Sequence, residues 1–215
     1  MRGKSESNEL VPERFLPGLI GRIIFLSMEE IIGREDFKGL IHSCSLPDYA
    51  HQAPPASDGL RIPFGHISRL HEALEKKFGL RGAGGIALRT GRACFKYGLR
   101  EFGTELGITG LSFRLLPLSA KLKTGSEALT SLLSRSGDQR LRLEMNERNI
   151  CWHIERCPLC WQRRDSSPAC HMAVGMLQEA LYWVSGGKTF NVIETQCIAC
   201  GDATCTMVID REPLE

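Results

Sequence analysis

With 215 residues and a 42% hydrophobic share, the chain can bury the core of one generous domain or two small ones. Lysine and arginine number 27 against 25 acids, so a net charge of +2 gives no electrostatic ground for nucleic acid or an anionic membrane as partner. The most apolar stretch, residues 15–32, is interrupted by Arg22, Glu29 and Glu30 and cannot span a bilayer, and no cleavage pattern follows it, which predicts a cytoplasmic protein.

Residues 1–12 are polar and without an apolar period, as expected of a loose arm. Pro17 then opens a helical pattern in which Ile20, Ile24, Met28, Ile31 and Ile32 share one face, until Gly33 stops it. A shorter helix over 35–44 precedes an irregular connection at 47–59, marked by Pro54-Pro55 and Ser57-Asp58-Gly59. These spacings predict a semi-independent helical arm over residues 1–60, whose apolar face suits a homodimer.

Ile67, Leu70, Leu74 and Phe78 predict a helix from 63 to 78, ended by Gly79. The next helix, 84–102, carries a stripe of small residues: Gly84, Ala87, Gly91, Cys94 and Gly98. Glycine in a helix costs about 1 kcal/mol relative to alanine, so such a stripe implies close approach of another body. Tight helix packing is the first reading and a ligand-facing wall the second. Gly82-Ala-Gly-Gly-Ile-Ala87 also fits a loose dinucleotide fingerprint, but residues 76–81 read as a helix end where the fingerprint requires a strand, so a nucleotide cofactor is rejected.

A largely helical pattern covers 111–133, with Gly125 leaving its continuity open. Period two then replaces it: Leu141 and Leu143, then Ile150, Trp152 and Ile154 around a polar turn, predict an antiparallel hairpin. His153 falls on its outer face. A helix over 170–184 ends at Gly186-Gly187, and strands at 190–194 and 206–210 flank a turn. Helices followed by strand-strand-helix-strand-strand predict an α+β fold, with an antiparallel sheet covered by helices.

Seven of the nine cysteines fall between Cys151 and Cys205, and without a leader this clustering points to metal rather than to disulfides. Soft thiolates select zinc or iron over magnesium or calcium, and zinc is the leading candidate. Cys157-Pro-Leu-Cys160 lacks the following helix that a thioredoxin-like redox pair needs. Two metal groupings are open. Spacing alone pairs Cys157/Cys160 with Cys197/Cys200; packing of a helix on the final hairpin brings together Cys170, Glu194, Cys197 and Cys205.

Glu194-x-x-Cys197-x-x-x-Gly201-Asp202-x-x-Cys205, with Cys170 and Gly175 upstream, resembles the 4-vinyl reductase-type domain. That domain is named from a bacteriochlorophyll-biosynthesis protein, serves as the sensory part of phenol-responsive activators, and is related in fold to the small TRAPP subunits. The resemblance implies a ligand-binding domain over 61–215. It also implies a zinc ion held by Cys170, Glu194, Cys197 and Cys205, clamping helix to hairpin. Cys157 and Cys160 depart from the sensor pattern and leave open a shared site, a second site or ligand exchange. Three thiolates and a carboxylate leave no vacant position for hydrolysis. The expected function is therefore a non-catalytic binding or sensor module for a small hydrophobic or aromatic molecule. A tetrapyrrole vinyl-reductase accessory or carrier and a TRAPP-like interaction scaffold are the alternatives. Trp152, Trp183, Phe95 and Phe102 are candidate lining, although core packing alone explains such aromatics.

Overall fold

Glycines and prolines set the limits of the helices in the computed structural model, which describes residues 12–46, 49, 51, 53–56 and 61–214. Pro17 caps α1 (Gly18–Ile32), and Gly33, at φ 85°, separates it from α2 (Arg34–Ser43). Pro63 caps α3 (Phe64–Phe102), which bends at Gly79, where φ 70° and ψ 163° leave the helical region. The expected stop at Gly79 is thus a kink, and the glycines of the rejected fingerprint lie inside the second helical limb. The expected 111–133 helix is divided by Pro117 into α4 (Leu111–Arg114) and α5 (Leu118–Arg135). Proline has no N–H to continue a helix but suits the start of the next. The last helix, α6 (His171–Ser185), ends at left-handed Gly186.

Two three-residue strands, β1 (Phe15–Pro17) and β2 (Arg61–Pro63), pair antiparallel and tie the start of α1 to the start of α3. They are too short to show a period in the sequence. The main sheet comprises β3 (Arg140–Met145), β4 (Asn149–Arg156), β5 (Val192–Gln196) and β6 (Cys205–Asp210), all antiparallel in the order β3-β4-β6-β5. The Asn146 side chain closes the β3–β4 turn by accepting the backbone N–H groups of Arg148 and Asn149 at 2.9 and 2.7 Å. Ile150, Trp152 and Ile154 stand opposite Ile209, Met207 and Cys205, and all six are buried. The period-two pattern therefore marks the face covered by helices. On the other face, His153 Nδ1 lies 3.0 Å from the Thr206 hydroxyl.

The fold is α+β, as expected. Residues of α1 and α2 join the same core as α3, α5, α6 and the sheet: Ile24, Phe25, Met28, Leu40 and Ile41 are buried, and Ile20, Ile31 and Ile32 pack against them. The apolar face of α1 that suggested a homodimer is covered within one chain and no longer argues for one. The polar arm and the 47–59 connection fall largely outside the described residues. Among the described residues no helix is long and apolar enough to cross a membrane.

Candidate functional site

Five thiols and one carboxylate converge where the 157–170 loop, the start of α6 and the β5–β6 turn meet. Cys170 caps α6, and its backbone N–H donates to Glu194 Oε2 at 2.8 Å, joining the helix to β5. Cys197 and Cys205 flank a tight turn in which Gly201 takes φ 98°. Asp202 Oδ2 accepts the Cys197 N–H at 2.8 Å, and Cys205 Sγ accepts the Ile198 N–H at 3.3 Å. Cys157 and Cys160 come from the loop, which is fastened to the first limb of α3: the Ser68 hydroxyl donates to the Trp161 carbonyl at 2.8 Å, and half-buried Arg163 pairs with Glu75 at 2.6 Å and Asp165 at 3.0 Å.

The contacts between sulfurs have the dimensions of a coordination shell. Cys157 lies 3.5 Å from Cys170, Cys160 3.4 Å from Cys205, Cys170 3.6 Å from Cys205, and Cys197 4.0 Å from Cys205. A tetrahedral shell with metal–sulfur bonds of about 2.3 Å puts its sulfurs about 3.8 Å apart. Two complete donor sets result, Cys157/Cys160/Cys170/Cys205 and Cys170/Glu194/Cys197/Cys205, each with all ligand atoms within 4.8 Å of one another. Cys200 is exposed and belongs to neither, so the pairing of Cys157/Cys160 with Cys197/Cys200 does not assemble.

The electrostatics of these groups suit a cation. Burial, then the neighbouring Cys197, pushes the Glu194 carboxyl up to about 8, and its Oε1 has no hydrogen-bond partner among the described residues. Hydrogen bonds from Cys157, Cys170, Cys197 and Cys205 pull the Cys160 thiol down, whereas its sulfur neighbours and burial push Cys170 well up. Opposite shifts among touching thiols mean that their ionisation is coupled, and thiol sulfur is a donor type that suits a soft divalent ion.

The small-residue stripe packs tightly against α6 along one part and borders a cavity along another. A Cβ on Gly91 would stand 2.0 Å from the Met172 carbonyl oxygen, and one on Gly175 would stand 2.0 Å from that of Leu88, so α3 and α6 pack backbone to backbone. Farther along, Cys94 and Gly98 face an apolar cavity of about 100 Å³. Its walls come from α1, α3, α5, β4, the cysteine loop and α6, and Gln139 supplies the one side-chain amide among the described lining residues. Of the four aromatics weighed as lining or core in the sequence, Phe95 and Phe102 line it. Trp152 lines a smaller void of about 20 Å³ beside it, and the Trp183 ring lies tilted at 57° to Phe95 with centroids 6.5 Å apart. Leu16 of β1, Ile20 and Ile23 of α1 and Leu129, Leu132 and Leu133 of α5 also line the larger cavity; the helical spacing of the last five marks them only as apolar. Cys157 belongs to both the cavity wall and the thiol cluster.

No family model and no curated protein sequence matches the chain. Solved structures do. An H-NOX protein from S. oneidensis in the Fe(II)NO ligation state is similar over 90% of this chain and 99% of its own, at 12% identity and a TM-score of 0.57. The phenol-responsive sensory domain of the transcription activator PoxR, solved with phenol, is similar over 70% of this chain and 77% of its own, at 20% identity and a TM-score of 0.50. An H-NOX protein studied for haem distortion matches over 93% of this chain and 97% of its own, at 13% identity and a TM-score of 0.57. At these identities the likeness establishes the fold.

Proposed function

We propose that the chain is a binding or sensor module for a small apolar molecule of about one ring, with a zinc ion fixing the start of α6, whose Met172 and Ala173 line the cavity, to the β5–β6 turn. The observation that carries this reading is the apolar cavity of about 100 Å³, lined by aliphatic, aromatic and sulfur groups and touching the thiol cluster at Cys157. Engineered apolar cavities of about 150 Å³ stay dry and bind benzene, so the space suits a single ring. Gln139 is the partner that a ring hydroxyl would find. The likeness to a phenol-responsive sensory domain supports the same choice.

Haem, named for the H-NOX relatives, fits the site poorly. The described lining residues include no histidine and no cationic side chain, and the volume falls well below the roughly 300–1,000 Å³ of sites for larger ligands. A chlorophyll-type macrocycle meets the same obstacle.

Cys170, Glu194, Cys197 and Cys205 would hold the zinc with four protein ligands, a closed shell with a structural role. The ion would fix the start of α6 against the β5–β6 turn and neutralise a carboxylate that burial otherwise keeps protonated. Thermal-shift and NMR titrations with benzene, toluene, phenol and hemin test the ligand reading. The expected result is a higher melting temperature with single-ring compounds and no stoichiometric haem spectrum. Failure of every ring compound to bind, with a stable complex to another protein, would favour an interaction scaffold. Elemental analysis of freshly reduced protein tests the zinc.

A further inference from the structure

Cys170 and Cys205 belong to both donor sets, and their sulfurs lie 3.6 Å apart. Cys157 and Cys160 reach this shared edge from the loop, while Glu194 and Cys197 reach it from the β5–β6 hairpin. We propose that the cluster is a two-ion site, in which two zinc ions share the Cys170 and Cys205 thiolates. Cys157 and Cys160 complete one tetrahedron, and Glu194 and Cys197 complete the other. This inference rests on the zinc reading above and extends it from one ion to two.

Three considerations lead there. The first is geometric. Contacts of 3.5 Å for Cys157–Cys170, 3.4 Å for Cys160–Cys205 and 4.0 Å for Cys197–Cys205 bracket the edge of a zinc–thiolate tetrahedron, about 3.8 Å, on both sides of the shared edge. A thiolate sulfur has lone pairs enough to bridge two soft ions. By contrast, in an iron–sulfur cage with one thiolate per iron the thiolates are held apart by the inorganic atoms and do not touch one another as these do.

The second is charge. One zinc among three thiolates and a carboxylate leaves two negative charges in excess; two zinc ions among five thiolates and a carboxylate leave the same excess. The second ion therefore ionises Cys157 and Cys160 without adding to the net charge that is buried, although both side chains are almost wholly removed from solvent. A single ion leaves two buried thiols in contact with thiolates and no cation of their own.

The third is position. The Cys157/Cys160 ion would stand behind the cavity wall, since Cys157 and the adjoining Pro158 and Leu159 line the cavity. It would hold that wall as the other ion holds the hairpin.

Cobalt(II) titration of the reduced, metal-free full-length chain tests the proposal, followed by absorption and electron paramagnetic resonance, with native mass spectrometry of the zinc-loaded protein. The expected thiolate-to-cobalt absorption saturates at two equivalents. The resonance signal per cobalt falls as the second equivalent enters, because shared sulfurs couple the two spins. Zinc-loaded protein carries two ions. The double variant Cys157→Ser/Cys160→Ser carries one and keeps full signal per cobalt; Glu194→Gln/Cys197→Ser also carries one. Saturation at one equivalent in the unaltered chain overturns the two-ion site and leaves the single zinc clamp standing. Two equivalents with undiminished signal overturn the sharing of ligands. No binding, or isolation with a stoichiometric iron–sulfur chromophore, overturns the two-ion site and the zinc reading together.

Discussion

Gly91 and Gly98 occupy the same stripe of α3, two helical turns apart, yet the structure assigns them opposite responses to alanine. A Cβ at Gly91 would stand 2.0 Å from the Met172 carbonyl oxygen and 2.7 Å from the Met176 backbone nitrogen. Non-bonded atoms settle roughly 3.5 Å apart, so the two helices would have to separate by more than about 1 Å. No side-chain rotation relieves a clash with backbone. Overpacking of this kind costs about 3 kcal/mol, which for a chain of this size lowers the melting temperature by roughly 6–12 °C. A Cβ at Gly98 meets nothing within 4 Å because it enters the cavity. Gly98→Ala therefore removes the helical penalty of glycine, about 1 kcal/mol, and raises the melting temperature by roughly 2–4 °C. Thermal unfolding followed by circular dichroism on the two single variants measures both shifts. Equal shifts, or a stable Gly91→Ala, would refute the backbone-to-backbone packing of α3 on α6.

Gly98→Leu should fill the cavity, abolishing the thermal shift produced by benzene or phenol while the chain stays folded. Cys205→Ser should remove bound metal altogether and lower the melting temperature, whereas Cys200→Ser, at an exposed thiol outside both donor sets, should change neither zinc content nor melting. Chelation of zinc from the unaltered protein should reproduce the Cys205→Ser melting profile. His71 is fully buried, and burial, then Arg163, then His171, hold its imidazole down at about 4 from an ordinary 6.5. The unfolded chain therefore binds a proton that the folded chain refuses between about pH 6.5 and 4. This contribution is complete above pH 6.5 and is lost as pH falls through 4, by up to roughly 3 kcal/mol. His71→Leu should flatten the pH dependence of unfolding in that window, and denaturant titrations at pH 7, 5.5 and 4.5 check it.

What could be read locally was legible in the chain. The alternation of Ile150, Trp152 and Ile154 determined a strand with one buried face, and Gly33, Gly79 and Gly186 marked helix ends or a kink because only glycine takes their positive φ without strain. The clustering of Cys157, Cys160, Cys170, Cys197 and Cys205 was also visible, and the resemblance added Glu194, but spacing offered Cys200 equally, and the structure leaves that thiol exposed outside both groups. What depended on distant partners was not legible. A spacing of three and four shows that Gly91 and Gly98 share a helix face, but only the arrival of α6 against one and empty space against the other separates their roles. The apolar face of α1 reads equally well as a dimer surface or a cavity wall until α3 is seen to cover it. Which cysteines meet is likewise decided in three dimensions: Cys157 meets Cys170, and Cys160 meets Cys205, because Arg163 and Ser68 pin the intervening loop to α3. Sequence periodicity reports which side of an element is apolar, whereas a site made from loop, helix and hairpin exists only once long-range packing has chosen which sides meet.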